Sequence, residues 1–313
     1  MDEPNPPSSI STSEPAPPTA PPPVPAIHSV FIGPQGLRPI WRLILYLAMA
    51  ALTGALLNWL VSSLQNARGT AGLWVELLNS VILAVSVITP AFVMARIERR
   101  RWDDYGLPRQ QAFGKFFWIG ALWGLASITS LLLVMHGAGT FDFGGLALHG
   151  KRVFKFAVYW AVFFVMVGFF EEFLFRGYTL FTGANGVGFW PAAVLLSACF
   201  GAVHWHNPGE NWIGLLAAAF IGLFLCLTVR RTGSLWFAVG FHASWDWGES
   251  FLYSVPDSGG MVTGHLLKSS FHGPAWLTGG SVGPEGSVLV FATVAVMWAA
   301  FDRIYPQAKY LAK

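Results

Sequence analysis

The sequence predicts an all-α bundle of about eight transmembrane helices. Of its 313 residues, 54% are hydrophobic and 11% are charged, and the mean hydropathy is +0.52. Soluble domains carry roughly 25% charged residues, so this composition indicates a polytopic membrane protein. Apolar runs close to the ~20 residues that cross a bilayer as a helix recur along the chain. The formal net charge of +3 does not favour nucleic acid as a partner, and two cysteines support no disulfide framework.

The first 36 residues differ in composition from the rest of the chain. Ten of the 20 prolines lie between Pro4 and Pro25, and no lysine or arginine precedes Arg38. Such a composition is typical of a disordered, partly polyproline II segment. The segment also lacks the basic start and apolar centre of a signal peptide. We therefore expect residues 1–36 to be a disordered, proline-rich cytoplasmic tail that remains on the mature protein.

Residues 37–313 are predicted to form the transmembrane bundle, because apolar runs follow one another there at near-regular spacing. Gly233 and Ser234 have the residue types that end one helix and begin the next. The predicted helices span 40–63, 73–96, 114–136, 153–180, 190–206, 211–230, 234–253 and 287–304.

The connection at 254–286 is the only long one between predicted helices. Its eight glycines argue against regular structure, and the sequence assigns it no chemistry. Phe271 and Trp276 predict that it packs back on the outer rim of the bundle. Pro284 and Glu285 suit the first turn of the last helix, where a proline loses no hydrogen bond and an acid meets the positive end of the helix dipole.

Lysines and arginines predict the orientation of the bundle. With the N-terminus inside, 14 of the 19 fall on the inner side and five on the outer side. Since cytoplasmic loops carry the excess of basic residues, we expect a multi-pass protein with both termini in the cytoplasm, and the plasma membrane as its location in a bacterium. The five outer residues are Arg68, Lys151, Arg152, Lys155 and Lys268.

Two adjacent carboxylates and an arginine lie at the end of the fourth predicted helix. Ionisable groups within a transmembrane segment are costly, so they indicate a functional site. Glu172 and Arg176 are four residues apart on one helix face, in the favourable order for an ion pair. Glu171 lies about 100° round the helix and is left without this partner. The pair is therefore predicted to be structural, and Glu171 to be available for chemistry.

Three further polar residues fall within later predicted helices. His204 lies in the fifth, and His242 and Asp246 are four residues apart on one face of the seventh. A carboxylate with a histidine can deprotonate a water that attacks an amide carbonyl, and a second histidine can stabilise the oxyanion. The same groups can bind zinc, relay protons as in transporters or serve as polar contacts between helices. From the residues alone, all four interpretations stay open.

Short motifs narrow this choice. No H-E-x-x-H zinc motif occurs in the chain. The motifs that do occur, in this order, are Glu171-Glu172-x-x-x-Arg176, Phe200-x-x-x-His204, Arg231-Thr232-Gly233-Ser234-Leu235-Trp236 and His242-x-x-x-Asp246. Over about residues 155–250 this arrangement resembles the CPBP family, which comprises the CAAX prenyl proteases of type 2 and related bacterial Abi membrane proteins.

The resemblance implies an intramembrane endopeptidase that hydrolyses a peptide bond of a membrane-associated or CAAX-like substrate, with a protease-like core at about 153–253. It implies that Glu171 is the general base, that His204 is its partner on the attacking water and that His242 helps to form the oxyanion hole. Glu172 and Arg176 would support the site, and no metal or other cofactor would be required. The expected partners are a peptide or protein substrate and the lipid bilayer.

Asp246 is the one departure from this pattern, since the best-described eukaryotic members have asparagine at the matching position. An amide can donate to an oxyanion, whereas an ionised carboxylate cannot. Asp246 is therefore expected either to be protonated or to hydrogen-bond and orient His242. Two other classes of function stay open: a non-catalytic scaffold or bacteriocin-immunity protein with the same fold, and a Glu/His proton-coupled transporter.

Overall fold

The computed structural model describes residues 30–33, 36–68 and 72–310 of the chain, and for 64–68 it describes the backbone alone. Most of the predicted proline-rich tail lies outside these residues. The chain divides into two units, Met1–Arg38 and Pro39–Lys313. In the first unit, the described residues include a short hairpin in which β1 (Ile32–Gly33) pairs antiparallel with β2 (Gly36–Leu37).

The second unit is an all-α bundle, and each predicted helix has a counterpart in it. Two short strands, β3 (Phe141–Asp142) and β4 (Ser270–Phe271), pair in its connections. The helices are α1 (Pro39–Arg68), α2 (Leu73–Ile97), α3 (Lys115–Gly137), α4 (Lys151–Arg176), α5 (Tyr178–Val187), α6 (Phe189–Val203), α7 (Trp212–Thr232), α8 (Trp236–Trp247), α9 (Ala275–Thr278) and α10 (Leu289–Ile304). Single turns of 3-10 helix lie at Trp102–Asp104, Arg109–Gln111, His204–His206 and Pro284–Gly286, and π-helical turns extend α8 over Gly248–Tyr253.

Five segments of the described residues are long and apolar enough to cross a bilayer, which confirms the predicted membrane helix bundle. The remaining predicted helices correspond to α6, α8 and α10, which have 15, 12 and 16 residues and are shorter than a full span. The five segments are Pro39–Ser63, Leu73–Ile97, Lys115–Gly137, Lys151–Val187 and Trp212–Thr232.

Several helix boundaries differ from the prediction by a few residues, and two of these differences change how the chain is divided. The fourth predicted helix, at 153–180, ends at Arg176, because Gly177 leaves helical geometry with ψ −119° and α5 begins at the next residue. The last helix begins at Leu289, whose N–H donates to Ser287 Oγ at 3.2 Å. The prediction that Pro284 and Glu285 form its first turn was wrong, since they form a separate 3-10 turn. By contrast, Gly233 does end α7, with φ 69° in the left-handed region.

Glycines bring α3 and α8 into close backbone contact. A Cβ atom at Gly120 would overlap the carbonyl oxygen of Phe237, and one at Gly240 would overlap that of Phe117. Gly124 likewise faces the Phe241 carbonyl. Small residues at such crossings allow membrane helices to approach closely. Since α8 carries His242 and Asp246, this contact fixes the position of both side chains relative to α3.

The connection at 254–286 packs against the bundle through several hydrogen bonds. Leu266 N–H donates to Phe251 O at 2.8 Å, and the Trp160 indole donates to Thr263 O at 3.0 Å. The predicted packing holds for Phe271, whose ring lies 5.2 Å from that of Phe141. Trp276, by contrast, is 55% exposed.

Candidate active site

The end of α4 carries a fully buried ion pair. Arg176 Nη1 donates to Glu172 Oε1 at 2.9 Å, and both side chains are inaccessible to solvent. The Phe200 ring covers the guanidinium, with the Arg176 Cζ atom 4.1 Å from the ring centroid. Gly222 leaves room for Arg176, because a Cβ atom there would overlap the guanidinium. The cation–π contact with Phe200 further stabilises the Arg176 charge, which has little access to water.

His242 is held by Glu172 Oε1, the oxygen that also accepts from Arg176. Its Nδ1 lies 2.8 Å from Glu172 Oε1, so Arg176 and His242 share this acceptor. Because an ionised carboxylate can only accept hydrogen bonds, Nδ1 carries the proton. The sequence left two roles open for Asp246, a protonated group or a partner that orients His242, and the short hydrogen bond of His242 goes to Glu172 on α4.

The second nitrogen of His242 faces two other carboxylates. Nε2 lies 3.6 Å from Glu171 Oε2 and 3.5 Å from Asp246 Oδ2. The Glu171 side chain is 25% exposed, whereas those of Glu172 and Asp246 are 0% and 8% exposed. Glu171 is thus the most accessible acid next to His242, and Glu172 is the one committed to the ion pair.

His204 reaches the site from the end of α6. Its Nδ1 lies 2.7 Å from the carbonyl oxygen of Phe200, and the ring of Phe200 contacts that of His204 with 4.7 Å between the centroids. The bond to a carbonyl places the proton on Nδ1 and leaves Nε2 as a hydrogen-bond acceptor. The same Phe200 ring lies 6.3 Å from that of His242, so it is close to both imidazoles.

A small cavity of about 30 Å³ joins these groups. His204, His242 and Asp246 line it together with Glu285 from the late connection. This volume is close to the ~30 Å³ that one water molecule occupies in the liquid, and four polar side chains surround it. Glu171 does not line this cavity and contacts the site through His242. The structure therefore brings His204, His242 and Asp246 to one cavity, with Glu171 beside it.

Residues 153–248 match the sequence model of the Rce1-like family, described as type II CAAX prenyl endopeptidase Rce1-like. This region is therefore similar to the Rce1-like family, and residues 153–248 are called the Rce1-like domain below. Comparisons with curated proteins and with solved structures found no significant match. The match confirms the resemblance to CAAX proteases and supports an intramembrane endopeptidase at the level of the family. Together with the five long apolar segments, it identifies an integral membrane protein.

The Rce1-like domain contains every site residue that the sequence predicted, because all of them lie between 153 and 248. It is bordered by three acids that the sequence analysis did not assign to the site, namely Glu249, Asp257 and Glu285. An oxygen of each lies within 4.8 Å of an oxygen of the other two. One sequence signal pointed to this cluster. Glu249 follows Asp246 by three residues, a spacing that places it on the same side of a helix as this predicted site residue.

Hydrogen bonds connect this acidic cluster to the domain. Trp245 Nε1 donates to Glu285 Oε1 at 3.1 Å, and Ser258 Oγ donates to Glu285 Oε2 at 2.7 Å. Ser250 Oγ donates to Asp257 Oδ2 at 3.2 Å. Burial, followed by the neighbouring charge of Glu285, raises the pKa of Asp257 to about 8.

Proposed function

We propose that this protein is an intramembrane endopeptidase that uses an activated water to hydrolyse a peptide bond of a membrane-associated or CAAX-like substrate. One observation carries the proposal. His242 is fixed by the buried Glu172–Arg176 pair while its free edge faces the accessible Glu171, within a region that matches an endopeptidase family. A positioned histidine beside an accessible carboxylate is a common arrangement for general acid–base catalysis.

In the proposed reaction, Glu171 takes a proton from a water molecule as the water oxygen attacks the scissile carbonyl carbon. His204 accepts a hydrogen bond from this water through its free Nε2. The oxyanion that forms is stabilised by His242, which donates from Nε2 in its protonated form, and by Asp246, which donates from its neutral carboxylic acid. The carbon–nitrogen bond then breaks, and Glu171 returns the proton to the leaving amine. No metal ion takes part in these steps.

We expect purified protein in lipid nanodiscs to cleave a membrane-associated peptide and to retain its activity after treatment with 1,10-phenanthroline. This chelator removes zinc, which the proposed mechanism does not use. Mass spectrometry of the new peptide termini measures the cleavage directly. The same terminal analysis of cell membranes, with wild type compared with Glu171→Gln, would identify the natural substrate.

Two outcomes would contradict the proposal. Loss of cleavage with phenanthroline and its recovery with added zinc would indicate a metal site at His204 and His242. New termini that appear equally in membranes carrying the wild type and the Glu171→Gln form would favour a scaffold or a transporter over an enzyme.

We also propose that both termini face the cytoplasm. Arg176, counted among the inner basic residues, is buried and paired, so it does not belong to a loop. Without Arg176, 13 lysines and arginines lie on the inner side and five on the outer side, which still favours cytoplasmic termini. Reporter fusions after Arg100 and Arg231 are expected to give cytoplasmic signals, and one near Gly260 an external signal. An external signal after Arg100 would reverse the orientation.

A further inference from the structure

We propose that Glu249, Asp257 and Glu285 bind a calcium ion beside the Rce1-like domain. The three carboxylates come from the π-helical extension of α8 and from the two ends of the 254–286 connection. One oxygen of each lies within 4.8 Å of the other two. Because calcium binds oxygen ligands at about 2.3–2.6 Å, two ligands on opposite sides of the ion are about 4.6–5.2 Å apart. The cluster has the dimensions of such a site.

Glu249 gives a second and independent indication of a ligand. Its side chain is fully buried, and neither of its carboxylate oxygens accepts a hydrogen bond of normal geometry among the described residues, since the nearby Trp245 indole donates to Glu285 instead. One of these oxygens faces Asp257 and Glu285 in the cluster. A buried carboxylate without a partner is costly, and native structures rarely leave one unsatisfied. A bound cation would satisfy Glu249 directly.

No basic side chain balances these acids in the described part of the chain. The ion pairs there include none with Glu249, Asp257 or Glu285. Three acids within a few ångströms of one another repel strongly when they are ionised. A divalent cation offsets this repulsion, so the local charge as well as the geometry favours one.

The ligand chemistry selects the type of ion. All three groups offer oxygen, and no histidine nitrogen or cysteine sulfur belongs to the cluster. Hard cations such as calcium and magnesium prefer oxygen, whereas zinc prefers sites that include nitrogen or sulfur. Magnesium demands near-ideal octahedral geometry, whereas calcium accepts six to eight oxygens in a flexible arrangement, so three carboxylates from separate segments favour calcium. The Ser250 and Ser258 hydroxyls, which donate to Asp257 and Glu285, orient two of the ligands.

An entry route lies beside the cluster. A cavity of about 280 Å³ is lined by Asp257 and Ser250 and by Glu76 from α2. Its volume holds several water molecules, each of which occupies ~30 Å³ in the liquid. A hydrated ion can therefore approach Asp257 from this cavity.

Calcium at this position would link the 254–286 connection to the active site. Glu285 lines the small cavity with His204 and His242, and its other contacts are to Trp245 and Ser258. An ion that holds Glu285 and Asp257 against Glu249 would thus fix the 254–286 connection over that cavity. The proposed role is structural and separate from the activation of water, so it does not depend on the proposed peptidase activity.

Terbium luminescence and thermal unfolding test this inference on the full-length protein in detergent after treatment with EGTA. Terbium is a calcium analogue, and Trp245, bonded to Glu285, lies close enough to transfer excitation energy to it. We expect tryptophan-sensitised terbium emission that calcium displaces, and a rise of several degrees in the unfolding midpoint when calcium is added. Equimolar magnesium should give a smaller rise. Both calcium effects should be lost in Glu249→Gln, which keeps the side chain's size but removes its charge.

Asp257→Asn provides a second variant if Glu249→Gln does not fold. The matched control is Glu76→Gln, which changes an acid lining the same entry cavity but outside the cluster, and which should keep both calcium effects. The inference is overturned if the wild type shows neither emission nor a calcium-dependent rise in its unfolding midpoint. It is also overturned if Glu249→Gln and Asp257→Asn fold and still respond to calcium as the wild type does.

Discussion

Replacing Glu171 with glutamine is expected to lower the rate of peptide hydrolysis by ~10²–10⁴-fold, the usual loss when a positioned acid–base group is removed. Glutamine has nearly the same size but cannot take a proton from water. Because Glu171 is partly exposed and forms no short hydrogen bond among the described residues, the folded yield should stay near that of the wild type. Turnover of a membrane-associated peptide by purified protein measures the first effect, and thermal unfolding measures the second.

Glu76→Gln is the matched control, since it makes the same chemical change on α2, away from the catalytic residues, and should leave turnover unchanged.

Asp246→Asn in the same assay separates the two roles considered for Asp246. An asparagine can donate to an oxyanion, so activity should survive if Asp246 acts as a neutral donor. A folded Asp246→Asn form that is inactive at every pH, beside an active Glu171→Gln form, would transfer the role of general base to Asp246.

Glu172→Gln is expected to destabilise the fold as well as abolish activity. The change leaves Arg176 charged, fully buried and without its carboxylate partner. Breaking one side of a buried ion pair typically costs ~3–5 kcal/mol, a large share of the stability of a protein. We expect a lower unfolding midpoint and a smaller monodisperse fraction on size-exclusion chromatography.

A second substitution separates the loss of stability from the loss of activity in Glu172→Gln. Adding Arg176→Leu to Glu172→Gln removes the unpaired charge and should recover much of the lost stability. Activity should not return, because His242 still lacks the charged partner that fixes its Nδ1 proton. If Glu172→Gln alone folds like the wild type and retains activity, the shared contact to Arg176 and His242 has no role in either property.

Local sequence patterns predicted most of the fold. Long apolar runs determined the membrane helices, and Gly233 marked the end of α7 because a left-handed residue at that position favours glycine. The break at Gly177 was missed, since the apolar pattern continues across it and the residue is not followed by a proline. The ion pair of Glu172 and Arg176 was predictable because it lies within one helix, where spacing alone decides which side chains meet.

Contacts between distant segments could not be predicted in the same way. The bond from His242 to Glu172 depends on how α4 and α8 are rotated about their axes, which spacing along each helix does not determine. Glu285 was predicted to stabilise a helix start, a plausible local role for an acid after a proline. Its contacts with Trp245 and Ser258 arise only because the 254–286 connection folds back across the site.

The backbone contact between α3 and α8 limits how a substrate can enter. Gly120 and Gly240 leave no space for even a methyl group between the two helices, so we expect α3 and α8 to move as one unit. Widening the 30 Å³ cavity to admit a peptide must therefore come from its other walls. Those walls are the turn that carries His204, the connection that carries Glu285, and residues of α6 and α7. Admission of a peptide is therefore expected to displace the walls that lie outside the α3–α8 pair.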